Sequence, residues 1–216
     1  LSDALTFKSI TAWREGDTET LIDFDTGPSA ALDVPAYYDD SQVTQELQLV
    51  YAGDRLSAVG GLFYMDASAS GAFDTILGLA NLSIATAGSV KTESFAAYAD
   101  VSYQVTDRFS VSVGGRYTKD DKEGEVYRQN FTGIRSPLFG NAAAVPGLLR
   151  TSYTNSREFS EFTPRVSATF EPSEDWTVYA SWGKGFKSGG FDMRGDAYIF
   201  PGTVDGYEPE TVETAE

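Results

Sequence analysis

Glu93-Ser-Phe-Ala-Ala-Tyr-Ala-Asp-Val-Ser-Tyr-Gln-Val105, Thr106-Asp107-Arg108 and Phe109-Ser-Val-Ser-Val-Gly-Gly-Arg-Tyr-Thr118 read as two strands about a tight turn. Phe95, Ala97, Ala99, Val101, Tyr103 and Val105 alternate with Ser94, Ala96, Tyr98, Asp100, Ser102 and Gln104. After the turn, Phe109, Val111, Val113, Gly115 and Tyr117 alternate with Ser110, Ser112, Gly114, Arg116 and Thr118. Successive strand side chains point to opposite faces, so the period of two gives a hairpin with one dry and one wet face. Each strand is long. A membrane-crossing strand needs about 9–11 residues, whereas a soluble strand commonly has about 5–6.

Working outward, strands are predicted at Ala4–Trp13, Ser41–Tyr51, Arg55–Met65, about 152–171, Trp176–Phe186, and from Pro209 onward. The hairpin's second strand is free to run on through Glu125–Arg128. Tight turns fall at Ala52-Gly53-Asp54, Thr106-Asp107-Arg108 and Pro172–Asp175. Gly, Pro and small polar residues between the other strands predict long loops at 15–40, 66–91, 129–151 and 187–208. Ile76, Leu77, Leu79, Leu82 and Ile84 suggest a short helix within the second loop. Long and tight connections then alternate strictly, which is the pattern of outer-membrane barrels with short periplasmic turns and long extracellular loops.

Composition excludes several function classes. The chain of 216 residues has no Cys and no His, so disulfide frameworks, thiolate or histidine metal sites and Ser-His-Asp or Cys-His catalysis are absent from it. No enzymatic activity is expected. The formal net charge of −16 opposes phosphate backbones, so nucleic acid is not an expected partner. No apolar run approaches the length of a membrane helix, which leaves a transmembrane barrel open because its signal is alternation.

Facing separates a membrane barrel from a soluble sandwich. The dry positions 95–105, 109–117, 162–170 and 176–182, in steps of two, carry no charge. The opposing set holds Asp100, Arg116, Arg165 and Glu171 among small polar residues. A Lys or Arg facing lipid at the midplane costs about 2–4 kcal/mol. Aromatics gather beside the turns (Tyr103 and Phe109, Phe170 and Trp176, Tyr51), as in an interfacial girdle. Pro164 should mark a bulge or the outer end of pairing. Lys184, on the lipid parity, is expected to snorkel at the interface.

Phe162-Thr-Pro-Arg-Val-Ser-Ala-Thr-Phe170, Val178-Tyr-Ala-Ser-Trp-Gly-Lys-Gly-Phe-Lys-Ser-Gly-Gly-Phe191 and Tyr207-Glu-Pro-Glu-Thr-Val212 resemble the barrel of a TonB-dependent outer-membrane receptor. So do Thr44-Gln-Glu-Leu47, Gly60-Gly-Leu-Phe-Tyr64 and Gly114-Gly-Arg-Tyr-Thr118. The resemblance implies an all-β, antiparallel transmembrane β-barrel of about 22 strands, of which this chain holds about seven to eight. Residues 1–216 read as an internal fragment of that barrel domain, with the plug domain absent. The resemblance further implies a bacterial outer-membrane location and active uptake of a scarce ligand, foremost a ferric siderophore. The implied partners are the TonB complex, reached through an N-terminal region not in this chain, the receptor's own plug domain, and outer-membrane lipid and lipopolysaccharide. A passive porin-like or surface-binding barrel is the alternative, followed by a soluble β-sandwich binding module.

Candidate site residues follow from facing. Tyr98, Asp100, Arg116 and Arg165 point to the lumen, where they either contact ligand or plug or form a charge network on the wall. Arginine suits anionic siderophore or phosphate groups, which favours Arg116 and Arg165. Phe191, with Tyr37, Tyr38, Tyr198 and Phe200, either stacks on ligand or packs its loop. No cofactor is expected. Asp23, Asp25, Asp39 and Asp40, in an acidic stretch without Lys or Arg, are either divalent-cation ligands of an extracellular loop or a solvated face. Gly183-Lys-Gly-Phe-Lys-Ser-Gly-Gly190 does not fit a phosphate loop, and its glycines read as barrel bending and loop entry.

Overall fold

The computed structural model describes residues 4–29 and 31–216. They form one sheet in chain order: β1 (Leu5–Asp23), β2 (Leu32–Ala52), β3 (Leu56–Leu77), β4 (Leu82–Thr106), β5 (Phe109–Thr132), β6 (Val145–Ser173), β7 (Trp176–Lys187) and β8 (Glu210–Ala215). Each strand is antiparallel to the next, and β1 and β8 are open edges. Among the described residues there is no α-helix, only three short 3-10 turns.

The long strands exceed what a bilayer needs. β1 to β6 run from 19 to 29 residues. Most of the predicted loops 15–40 and 66–91, and both ends of 129–151, are therefore strand. β1 and β2 pair from Leu5–Tyr51 up to Asp23–Asp33, and β3 and β4 pair without interruption up to Leu77–Leu82. The predicted short helix is only the turn Gly78–Ala80, with Ile76 and Leu77 in β3 and Leu82 and Ile84 in β4. Backbone pairing satisfies each N–H and C=O whatever the side chain, so Ala, Ser and Gly extend a ladder that longer side chains began. The longest connections left are 133–144 and 188–209, and 188–209 closes on itself through a Gly190–Tyr207 bridge.

Register places aromatics in two belts. On the apolar face, Phe109 lies directly across from Phe170, near Tyr103. Tyr103 itself pairs with Val111, because a bulge at 104–106 shifts the register. Eight residues farther along the strands, Tyr64 pairs with Phe95 and Tyr117 with Phe162. At about 3.3 Å per residue the belts lie roughly 26 Å apart along the strand, and tilt shortens this to about 20 Å. That is a few ångströms short of the apolar band of a membrane barrel, about 25 Å tall, and of the same order. Val101, Val113 and Val166 lie between the belts and are exposed, with Val113 at 58%.

Just above the second belt the same face turns acidic. Asp66, Glu93, Asp121 and Glu158 stand side by side across β3 to β6. Lys119 offsets part of this charge, reaching Glu158 at 2.8 Å and Asp121 at 3.6 Å. Charges here are tolerable because the strands have left the hydrocarbon.

Pro164 does end pairing on one side: β6 and β7 pair from Ser173–Trp176 up to Arg165–Gly183 and separate there. Lys184 is freed by that separation. It does not snorkel to the interface, but binds Glu161 at 2.8 Å and lines the polar-face hollow described below.

Candidate functional site

Four of the five predicted ligand-contact residues share one place. Tyr98, Asp100, Arg116 and Arg165 line a hollow of about 290 Å³ on the polar face, with Thr163 and Lys184. Two glycines make the hollow shallow. Tyr98 lies across Gly61, where a Cβ would come within 2.6 Å of its ring, and so reaches over β3 to donate its hydroxyl to Glu46 Oε1 at 2.5 Å. Asp100 lies across Gly114 and so reaches over β5 to accept from Arg165 Nε at 2.8 Å. Arg116 rests between Phe63 and Tyr98, 5.2 and 5.8 Å from the two ring centroids, and donates from Nε to Thr118 Oγ1 at 3.1 Å. Nearby, Ser102 and Ser112 share a hydrogen bond of 2.6 Å. The arrangement holds paired charges flat against the wall.

Phe191 is not among them. It is 6% exposed, packed over Gly124 and 6.4 Å from the Tyr153 ring, so it serves loop packing. The loop that carries it, 188–209, lies on the polar face of β4 to β6. Lys122 donates to Gly189 O at 2.8 Å, Arg128 to Arg194 O at 2.7 Å, Thr151 to Gly195 O at 2.8 Å and Asn155 to Val204 O at 2.8 Å. Arg150 pairs with Asp196. Burial pushes the Asp196 carboxyl up, but Arg150's hydrogen bond and charge outweigh it and hold the group below the usual carboxylate range. Arg194 likewise holds Asp192 low, against burial. Tyr198 and Phe200 stay exposed on this loop.

Tyr37 and Tyr38 belong to β2, not to a loop, and point to opposite faces. Tyr37 packs on Phe139 at 5.6 Å, while Tyr38 joins Phe73, Val90 and Met193 on the polar side. Sequence reading missed this because it placed 15–40 outside the sheet.

The acidic candidates separate. Asp23 and Asp25 come within 4.8 Å of Asp33, which was not singled out. Both already cap backbone: Asp23 accepts from the N–H of Asp25 and Thr26, and Asp25 from those of Gly27 and Leu32. These hydrogen bonds, Leu32's first, hold the Asp25 carboxyl low. Asp39 and Asp40 lie well down β2, opposite Asp17 and Gly16, and Asp40 faces Arg14 at 3.6 Å. They therefore form no common site with Asp23 and Asp25.

A long antiparallel meander with an apolar belt outside and paired charges inside is a section of transmembrane barrel wall. The family model "TonB dependent receptor-like, beta-barrel" matches residues 2–216, and the chain belongs to that family. It is 25% identical over 198 residues to the pesticin receptor of Yersinia enterocolitica serotype O:8 / biotype 1B, covering 89% of this chain and 26% of that protein. The Yersinia pestis pesticin receptor matches to the same extent. Among solved structures, the ferric yersiniabactin uptake receptor FyuA from Yersinia pestis aligns over 100% of this chain and 30% of its own, with a TM-score of 0.71 and 22% identity. The siderophore receptor PiuA from Acinetobacter baumannii aligns over 100% of this chain and 35% of its own, with a TM-score of 0.60 and 13% identity. The chain thus spans about a quarter of the curated relatives' length. The family and these receptor relatives are outer-membrane proteins.

Proposed function

We propose that residues 1–216 form part of the barrel wall of a bacterial outer-membrane receptor that takes up a ferric siderophore with energy delivered by TonB. The observation that carries this is the two-faced wall: uncharged residues between two aromatic belts outside, and a flat, charge-paired surface inside, in a chain of the TonB-dependent receptor family. Siderophore receptors among the structural relatives support the cargo. In this reading ligand binds at the extracellular mouth, near loop 188–209, and a plug domain outside residues 1–216 rearranges when TonB pulls on it. No bond of the cargo is made or broken, so the protein is a receptor and not an enzyme.

The test is iron supply. Deleting the gene in its native bacterium and supplying single purified siderophores under iron limitation should abolish radio-iron uptake from one of them. The full gene should restore uptake, and loss of TonB should mimic the deletion. Uptake unchanged by the deletion for every siderophore tried would contradict the proposal.

A further inference from the structure

The inner-wall hollow holds one cation, Arg116, with no carboxylate at ion-pair distance among the described residues, although Glu46 is near enough to feel its charge. Arg165 is taken by Asp100 and Lys184 by Glu161, each at 2.8 Å. Glu46 accepts the Tyr98 hydroxyl. Arg116 has no carboxylate within ion-pair distance among the described residues, and only its Nε has a hydrogen-bond partner there. Yet the group is held firmly. Its guanidinium lies over the Phe63 and Tyr98 rings, Thr118 holds its Nε, and Tyr98 is itself pinned over Gly61 by Glu46. The two terminal nitrogens are left without a partner on this wall.

We infer that Arg116 is a binding site for one carboxylate group in the barrel interior. A guanidinium presents parallel N–H groups that match the two oxygens of a carboxylate. Its fixed position lowers the ordering cost of that contact. The neighbouring carboxylates of Asp100, Glu46 and Glu161 disfavour a doubly charged phosphate more than a singly charged acid. The hollow, about 290 Å³, is at the lower end of the size of small-molecule pockets, and suits a side-chain-sized group over a whole ferric complex. The inference rests on the reading of the polar face as the receptor interior. The carboxylate has two sources: an Asp or Glu of the receptor's own polypeptide filling the lumen, or an acid group of a soluble ligand.

The structure of the full-length receptor in lipid nanodiscs, without ligand and again with excess citrate, tests this. A carboxylate oxygen should lie within hydrogen-bond distance of an Arg116 terminal nitrogen in at least one of the two. A polypeptide carboxylate in the ligand-free structure identifies the first source, and occupancy only with citrate identifies the second. Arg116→Gln should lose the contact, whereas Arg116→Lys should keep one oxygen. Water alone at the wild-type guanidinium in both structures, or Arg116 turned onto Glu46, would overturn the inference. Iron uptake is not read here, so a receptor for a different cargo would still give the expected contact, and an empty Arg116 would not contradict iron uptake.

Discussion

Loops 133–144 and 188–209 rise from the same rim and fold to opposite sides of the wall. Loop 133–144 lies on the apolar parity: Ala144 packs with Ala85 and Phe131 beside Tyr127, and Phe139 meets Tyr37. Its one buried polar anchor is the Ser136 N–H donated to Asp74 Oδ2 at 2.5 Å, with Asp74 0% exposed. Loop 188–209 lies on the polar parity and is held by Lys, Arg, Asn and Thr side chains that donate to its carbonyls. The alternation that sorts lipid from lumen thus continues above the membrane, where no lipid requires it, and decides which way each loop falls. Outward folding keeps 133–144 off the polar face. Inward folding of 188–209 covers that face from Tyr38 of β2 and Phe73 of β3 across to β6.

The comparison is most strongly broken at Gly124. A Cβ there would meet Phe191 ring and Cβ atoms at 2.5–2.8 Å. Gly124→Leu should cost about 1–3 kcal/mol of docking and raise protease cleavage within 188–209 by about fivefold or more. Cleavage within 133–144 should stay unchanged. Asp74→Ala should do the reverse. It strands the buried Ser136 N–H at a cost of about 1–3 kcal/mol and exposes 133–144 alone, while Asp74→Asn, which keeps an acceptor, should do much less.

A smaller effect separates the loops by pH. Asp192 and Asp196 are held below their ordinary values. Asp192 is held by Arg194 of its own loop and Asp196 by Arg150 of β6, so the Asp196 contribution to docking is full above the unfolded-state value, about 3.9, and is lost as pH falls through its lower folded-state value. Hydrogen exchange in loop 188–209, corrected for its intrinsic pH dependence, should lose protection below about pH 4. The buried wall contact of 133–144 is a backbone N–H on a carboxylate and not an ion pair, so exchange in that loop is the comparison.

What the sequence carried and what it hid divide along the same line. Alternation in 93–118 was enough to assign faces, because each Phe, Val and Tyr there reports its own side. Residues 66–91 alternate too weakly, since Ala, Ser and Gly fit either face, and their pairing is inherited from the ladder below. The run 15–40 reads as loop because Gly16, Gly27, Pro28 and Pro35 punctuate it, yet Gly16 and Pro35 lie inside β1 and β2. The strands simply outlast the membrane. The hollow was partly legible, as parity alone placed Tyr98, Asp100, Arg116 and Arg165 on one face. Phe191 was not, because its burial depends on a glycine 67 positions earlier, at Gly124. The pairing of Lys184 with Glu161 needed the break in β6–β7 pairing beside Pro164.

Everything above depends on which face meets lipid, and residues 1–216 contain no Cys, which makes the assignment testable one position at a time. Spin labels placed singly at Val113→Cys and Ser112→Cys in the full-length protein, reconstituted in lipid, would read each face directly. The label at 113 should collide with oxygen and be shielded from a water-soluble nickel relaxant, with the opposite ratio at 112. A label at 113 freely reached by the nickel reagent, or equal ratios at both positions, would contradict the barrel-wall account.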